Sequence, residues 1–158
     1  MKINFFNSFL YLLLFSATGC NQVGLFERSI PIPLQAWKYT NKLSYDFNIT
    51  DTTSYYNLSV VLRHTDAYKY NNIWLKLGSL SPGDTMHFQN INLTLASDAK
   101  GWEGFGVDDI FEVRKNITPG PIAFKKPGTY HFELSHIMRE DPLLHILNAG
   151  IRVEKVEK

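Results

Sequence analysis

Leu43-Ser44-Tyr45-Asp46-Phe47-Asn48-Ile49 decides the fold class. Leucine, tyrosine, phenylalanine and isoleucine take every second position, and serine, aspartate and asparagine fill the gaps. That period of two belongs to a half-buried strand, not to a helix. The pattern repeats outward along the chain. Asp51-Thr52-Thr53 supplies turn chemistry. Leu58, Val60 and Leu62 then alternate with Ser59, Val61 and Arg63, and Ile73, Leu75 and Leu77 with Trp74 and Lys76. Ser81-Pro82-Gly83-Asp84 is a turn, with proline pre-setting φ and glycine free to take φ > 0.

In Thr85–Leu95 the parity slips. Met86 and Phe88 share one face, and Ile91, Leu93 and Leu95 the other, which predicts a bulge or two strands. Ser97 to Asp108, with Gly101, Gly104 and Gly106, reads as a loop. Asp108 to Asn116 fits either a helical turn or a short strand. Tyr130, Phe132 and Leu134 against His131 and Glu133 make another strand, Ser135–Arg139 a short helical turn, and Ile151 and Val153 the last strand. About seven or eight short strands with turns between them predict an all-β chain, a single antiparallel sandwich. Jelly-roll and immunoglobulin-like topologies both fit.

The 158 residues carry a formal charge of +1 and 14% aromatics. This length suffices for one domain with a real core. A near-neutral chain gives no electrostatic case for nucleic acid. Cys20 is the lone cysteine, so no internal disulfide is possible.

The first twenty residues are of another kind. Lys2 precedes a short apolar run holding Phe5, Phe6, Phe9, Leu10, Leu12, Leu13, Leu14 and Phe15. Small residues Ser16 to Gly19 follow, and then Cys20. This is the anatomy of a secretory signal, with a core too short for a good transmembrane span. Its Gly19-Cys20 ending is that of a bacterial lipoprotein signal. The organisation expected is a signal peptide over 1–19, a lipidated N-terminus and extended tether over 20–36, and a sandwich over 37–158. Pro31 and Pro33 exclude a helix or central strand from the tether. Extended, it reaches roughly 50 Å at ~3.3 Å per residue.

No residue pattern carries catalysis. The five histidines form no metal-ligand spacing and read as surface residues. Asp108-Asp109 near Glu103 reads as a solvated pair, or as a weak calcium ligand if the chain is a carbohydrate-binding module. Gly101-Trp102-Glu103-Gly104-Phe105-Gly106 lacks the context of a phosphate loop. No cofactor and no metal are expected. Trp102 and Phe105, with Tyr55, Tyr68 and Tyr70, are the candidate contact residues, because loop aromatics are enriched at interfaces.

The whole chain resembles the gliding motility lipoprotein GldH family. The resemblance rests on Cys20, Ser29-Ile30-Pro31 followed by Trp37, Asp51-Thr52-Thr53 with Tyr56-Asn57-Leu58 and Leu62-Arg63, and Gly101-Trp102 with Gly104 and Gly106. It continues through Pro127-Gly128-Thr129-Tyr130, Ile137-Met138-Arg139 and Gly150–Lys155. It implies a non-enzymatic lipoprotein of the cell envelope, needed for gliding and tied to the type IX secretion apparatus. Anchoring would be through acyl groups, palmitate among them, on Cys20. With no acidic cluster after Cys20, the domain is expected to face the periplasm from the outer membrane. Asp51-Thr52-Thr53 and Asp84-Thr85-Met86 resemble the Asp-Thr-apolar O-glycosylation sites of some gliding bacteria, which makes Thr52 and Thr85 candidates. The alternative is a lipid-anchored carbohydrate-binding sandwich. A coplanar row of exposed aromatics would favour that alternative, and buried rings would count against it.

Overall fold

The computed structural model describes residues 26–156. The signal segment 1–19 and the lipidation site Cys20 lie outside the described residues. In chain order the strands are β1 (Phe26–Pro31), β2 (Ala36–Trp37), β3 (Leu43–Ile49), β4 (Tyr56–Thr65), β5 (Asn72–Leu80), β6 (His87–Thr94), β7 (Ala96–Ser97), β8 (Gly101–Trp102), β9 (Phe105–Val107), β10 (Ile110–Asn116), β11 (Gly128–His136), β12 (Leu143–Leu144) and β13 (Ile146–Lys155). A five-stranded sheet runs β1-β13-β4-β10-β9, and a four-stranded sheet runs β3-β11-β5-β6. The ladders in both are antiparallel.

The topology resolves the choice that the sequence left open. Among the long strands β1, β3, β4, β5, β6, β10, β11 and β13, each step along the chain crosses to the other sheet, except the β5–β6 hairpin. The first sheet thus interleaves early and late strands as β1-β13-β4-β10, and the second as β3-β11-β5-β6. That is a jelly roll, the double-sheet arrangement of eight strands in two Greek keys.

The alternation seen in the sequence is what fills the space between the sheets. Leu43, Tyr45, Phe47 and Ile49 of β3 are buried, and the residues between them are exposed. They meet Leu58, Val60 and Leu62 of β4, Ile73, Leu75 and Leu77 of β5, Tyr130, Phe132 and Leu134 of β11, and Ala149, Ile151 and Val153 of β13 in one core. The buried Tyr45 hydroxyl is satisfied across the gap, donating to Ala149 O at 2.7 Å. Burial pushes that phenol well above its usual pKa.

Four expectations change. The tether expected over 20–36 is folded from Phe26 onward. Phe26 to Pro31 pairs with Val153 to Asn148, and Ile32 N–H donates to Leu147 O at 2.8 Å. Pro31 is tolerated because it closes an edge strand, and Pro33 opens a 3-10 turn. The parity slip at Gln89-Asn90 is neither a bulge nor a break. β6 pairs with β5 without interruption from Thr94 to His87, and Phe88 simply lies on the outer face, beneath Lys76 Nζ at 4.5 Å. The glycine-rich loop contains the short strands β8 and β9. Ser135-His136 continues β11 instead of forming a helical turn.

Candidate functional site

The jelly roll has two ends, and the candidate residues divide between them. The upper end holds the β4–β5 connection, β7 to β9 and the start of β10. The lower end holds the β3–β4 turn, the β5–β6 turn, the β10–β11 connection and the entry of β1. These levels follow from the register: Phe26 pairs with Val153, which pairs with Leu58, whereas Pro31 aligns through Asn148 with Arg63 and then Glu112.

At the upper end, an aromatic nest surrounds His64. The His64 ring lies 4.6 Å from Trp102, 5.7 Å from Tyr68 and 5.8 Å from Phe111, and Tyr70 meets Tyr68 at 5.7 Å. Tyr68 is buried and its hydroxyl donates to Asn72 O at 3.0 Å. Tyr70 is half-buried and donates to Glu140 Oε2 at 3.2 Å. These rings build the end of the core. What remains for contact is Phe105, 74% exposed, with the exposed Val107 beside it. Arg63, Ile110 and Glu112 join them around a shallow pocket of about 240 Å³. A second apolar groove at this end, about 410 Å³, lies along Tyr70, Trp74, Ile137 and Met138.

Tyr55 is exposed but sits at the lower end, where its carbonyl accepts from Val156 N–H. The structure therefore does not gather the five candidate aromatics into one surface. They form no coplanar row, and the burial of Tyr68 counts against sugar stacking. Thr52 and Thr85 both fall in lower-end turns, half-buried and exposed respectively. Asp51 accepts there from Lys155, Thr53 and Ser54, and those bonds, the Lys155 one foremost, hold its carboxyl far below the usual carboxylate range. Between the sheets at this end opens a pocket of about 370 Å³, lined by Leu58, Leu77, Phe124 and Phe132, with Lys125 and Lys126 at its mouth. Asp108 and Asp109 are exposed in the β9–β10 turn, and Glu103 pairs instead with Lys115.

Two histidines correct the reading of all five as surface groups. His64 and His136 are fully buried. The signal was present in the sequence: His64 continues the parity of Leu58, Val60 and Leu62, and His136 that of Tyr130, Phe132 and Leu134. His64 Nδ1–H donates to Thr65 O at 2.9 Å. His136 packs edge-on to Trp37 at 5.5 Å, with Nε2 3.5 Å from Asp141 Oδ1. Burial lowers both pKa values, opposed only in part by these contacts. A lowered folded pKa means that the unfolded chain binds the extra proton first. Stability is therefore complete above the unfolded value of about 6.5 and is lost as pH falls through it. The unfolding free energy from urea titration should drop below pH 6.5, by at most about 1.4 kcal/mol per pH unit for each histidine. His64→Gln and His136→Gln should each flatten that slope, and an unchanged slope in both single variants would remove these residues as its cause.

A protein-family model described as GldH lipoprotein matches residues 24–153. The gliding motility lipoprotein GldH of Flavobacterium johnsoniae is 26% identical over 151 residues, covering 91% of each chain. The GldH homolog of Christiangramia forsetii is 21% identical over 129 residues, covering 77% of this chain and 79% of that one. Among solved structures, the infectious bursal disease virus VP2 subviral particle aligns at 13% identity with a TM-score of 0.35. The alignment covers 84% of this chain and only 30% of the viral one, and a likeness that low carries no argument.

Proposed function

The chain belongs to the GldH lipoprotein family, and from that premise we propose that it is a non-enzymatic envelope lipoprotein that serves gliding motility as a scaffold or accessory component of the gliding and type IX secretion machinery. Acyl groups on Cys20 anchor it, in the outer membrane with the domain facing the periplasm. The observation that carries this reading is the family match over nearly all of the sandwich, joined to a relative named for gliding motility that aligns over 91% of both chains.

Anchoring confines the domain to a thin layer and raises its effective concentration for partners there. Two or more acyl chains are needed for a firm hold, since each buried CH₂ contributes about 0.8 kcal/mol and one chain binds only reversibly. Partner contact is assigned to the upper end, at Phe105, with Trp102 and Tyr70 setting the surface behind it.

The test is complementation of a gene deletion in the source cell with wild type, Cys20→Ala and Phe105→Asp, with acyl labelling and pull-down from solubilised envelopes. Wild type should label, restore spreading and retrieve motility or secretion components. Cys20→Ala should lose both label and motility, and Phe105→Asp should keep the label and lose retrieval. Full motility in Cys20→Ala would overturn the anchored reading. Retrieval of glycan alone would transfer the case to the carbohydrate-binding alternative.

A further inference from the structure

We propose that the lower end of the jelly roll is a membrane-docking surface, with Lys125 and Lys126 resting on the phosphates of the lipid headgroup layer beside the anchor. This rests on the lipidation of Cys20 proposed above and goes beyond it, because an anchor alone leaves the domain free to turn any face to the bilayer.

The first argument is length. β1 takes up residues from Phe26 onward, so only residues 21–25 separate Cys20 from the first strand. Fully extended, that stretch spans at most about 20 Å, well short of the roughly 50 Å expected of a free arm. The point where the chain leaves the domain is therefore held near the bilayer.

The second argument is where that point lies. Phe26 is at the lower end, its ring 5.3 Å from Phe47, and Phe47 lies 5.8 Å from Phe124. Phe124 lines the inter-sheet pocket, and Lys125 and Lys126 follow it at the mouth. Two ring contacts thus connect the root of the tether to the two lysines.

The third argument is charge. Among the described residues at this end, Asp51 pairs with Lys155 at 2.7 Å and Glu27 and Glu154 with Arg152, while Asp84 lies 3.5 Å from His87 and within the field of Lys126. Lys125 and Lys126 are exposed, and Lys126 Nζ donates to Pro82 O at 3.2 Å without closing an ion pair among the described residues. Anionic headgroups complement such a pair. The attraction of two lysines is weak for a free domain, but a short tether makes the encounter intramolecular. The same geometry turns Phe105 away. It lies at the level of Pro31, five strand residues above Phe26, or about 17 Å further along the strands.

In the proposed lipidation the Cys20 sulfur displaces the phosphorylated headgroup of a phospholipid from its diacylglyceryl carbon, the thiol proton leaving with that headgroup, and the resulting thioether leaves an introduced cysteine as the one free thiol for a spin label. The full-length lipidated protein would carry Lys125→Cys, Tyr55→Cys or Phe105→Cys in vesicles of phosphatidylethanolamine with a minority of phosphatidylglycerol. A nickel-chelating lipid relaxes labels near the headgroups. Labels at 125 and 55 should relax several-fold faster than the label at 105. Adding Lys125→Glu with Lys126→Glu to Tyr55→Cys should remove that excess. Equal relaxation at the two ends, or an unchanged value after charge reversal, would overturn the docking surface. Failure of the protein to float with the vesicles would instead overturn the anchoring at Cys20. A glycan on Thr52 or Thr85 in the native protein's intact mass would also count against a bilayer-facing lower end.

Discussion

Phe47→Ala is expected to cost about 3–5 kcal/mol of folding free energy, the usual range for a buried phenylalanine truncated in place. Phe47 sits where both sheets and the chain entry meet. Its ring lies 5.3 Å from Phe26, 5.3 Å from Phe132, 5.8 Å from Phe124 and 5.9 Å from Tyr130. Alanine removes all four ring contacts and leaves a void that strands fixed by their ladders cannot close. Domains of this kind are stable by about 5–15 kcal/mol, so the loss is a fifth or more of the total. The urea midpoint should fall accordingly with little change in slope. Phe105→Ala is the control. Its ring is 74% exposed, and a surface truncation should move stability by about 0.5 kcal/mol or less. Equal effects of the two variants would mean that the core is not organised around Phe47.

The strands with a clean period of two were legible because their two faces meet different media. β3 has core on one side and water on the other, and its sequence shows it. β10 was ambiguous because Ile110, Phe111 and Glu112 are all half-buried, so neither face is marked. Phe88 misled for a related reason. A phenylalanine on the outer face looks inward-pointing until its rest over Gly78, where a Cβ would come within 2.9 Å of the ring, is seen. β1 was hidden by Pro31, which rules out a central strand but not the last residue of an edge strand.

The candidate site was less legible than the fold. Alternation tells which residues face inward, but not which end of a sandwich a turn occupies. Tyr55 and Tyr70 are 15 positions apart and lie at opposite ends, because β4 runs the length of the molecule between them. Tyr68, in a connection, carried no parity to mark it as core. In the sequence, Lys125-Lys126-Pro127-Gly128 has no more than the composition of a turn. Their position beside the chain entry depends on β1 and on the register of β3 with β11, both long-range facts.

Gly150→Val should detach β1 while leaving the rest of the jelly roll folded. Gly150 pairs with Ser29 on one side and with Val61 on the other. A Cβ at Gly150 would lie 2.6 Å from Arg28 O and 2.9 Å from Ser29 Cα, and would also strike Ser29 Oγ. The first two are backbone contacts, so no rotamer change relieves them. β13 is locked between two strands and β1 is an edge, so β1 is the element that yields. It is held by the Phe26–Phe47 contact, by Ile30 against the core and by Glu27 paired with Arg152 and Arg114. Overpacking of about 1–3 kcal/mol set against those contacts should speed hydrogen exchange over 27–30 by roughly 5-fold to 150-fold, with β4 and β11 unchanged. Global loss of protection would instead mean that β1 and the sheets fold as one unit. The consequence for function follows from length. Releasing residues 26–31 adds about 20 Å to the arm. The label at position 125 should then lose its proximity to the headgroups even though both lysines remain, which separates the constraint set by β1 from the attraction set by charge.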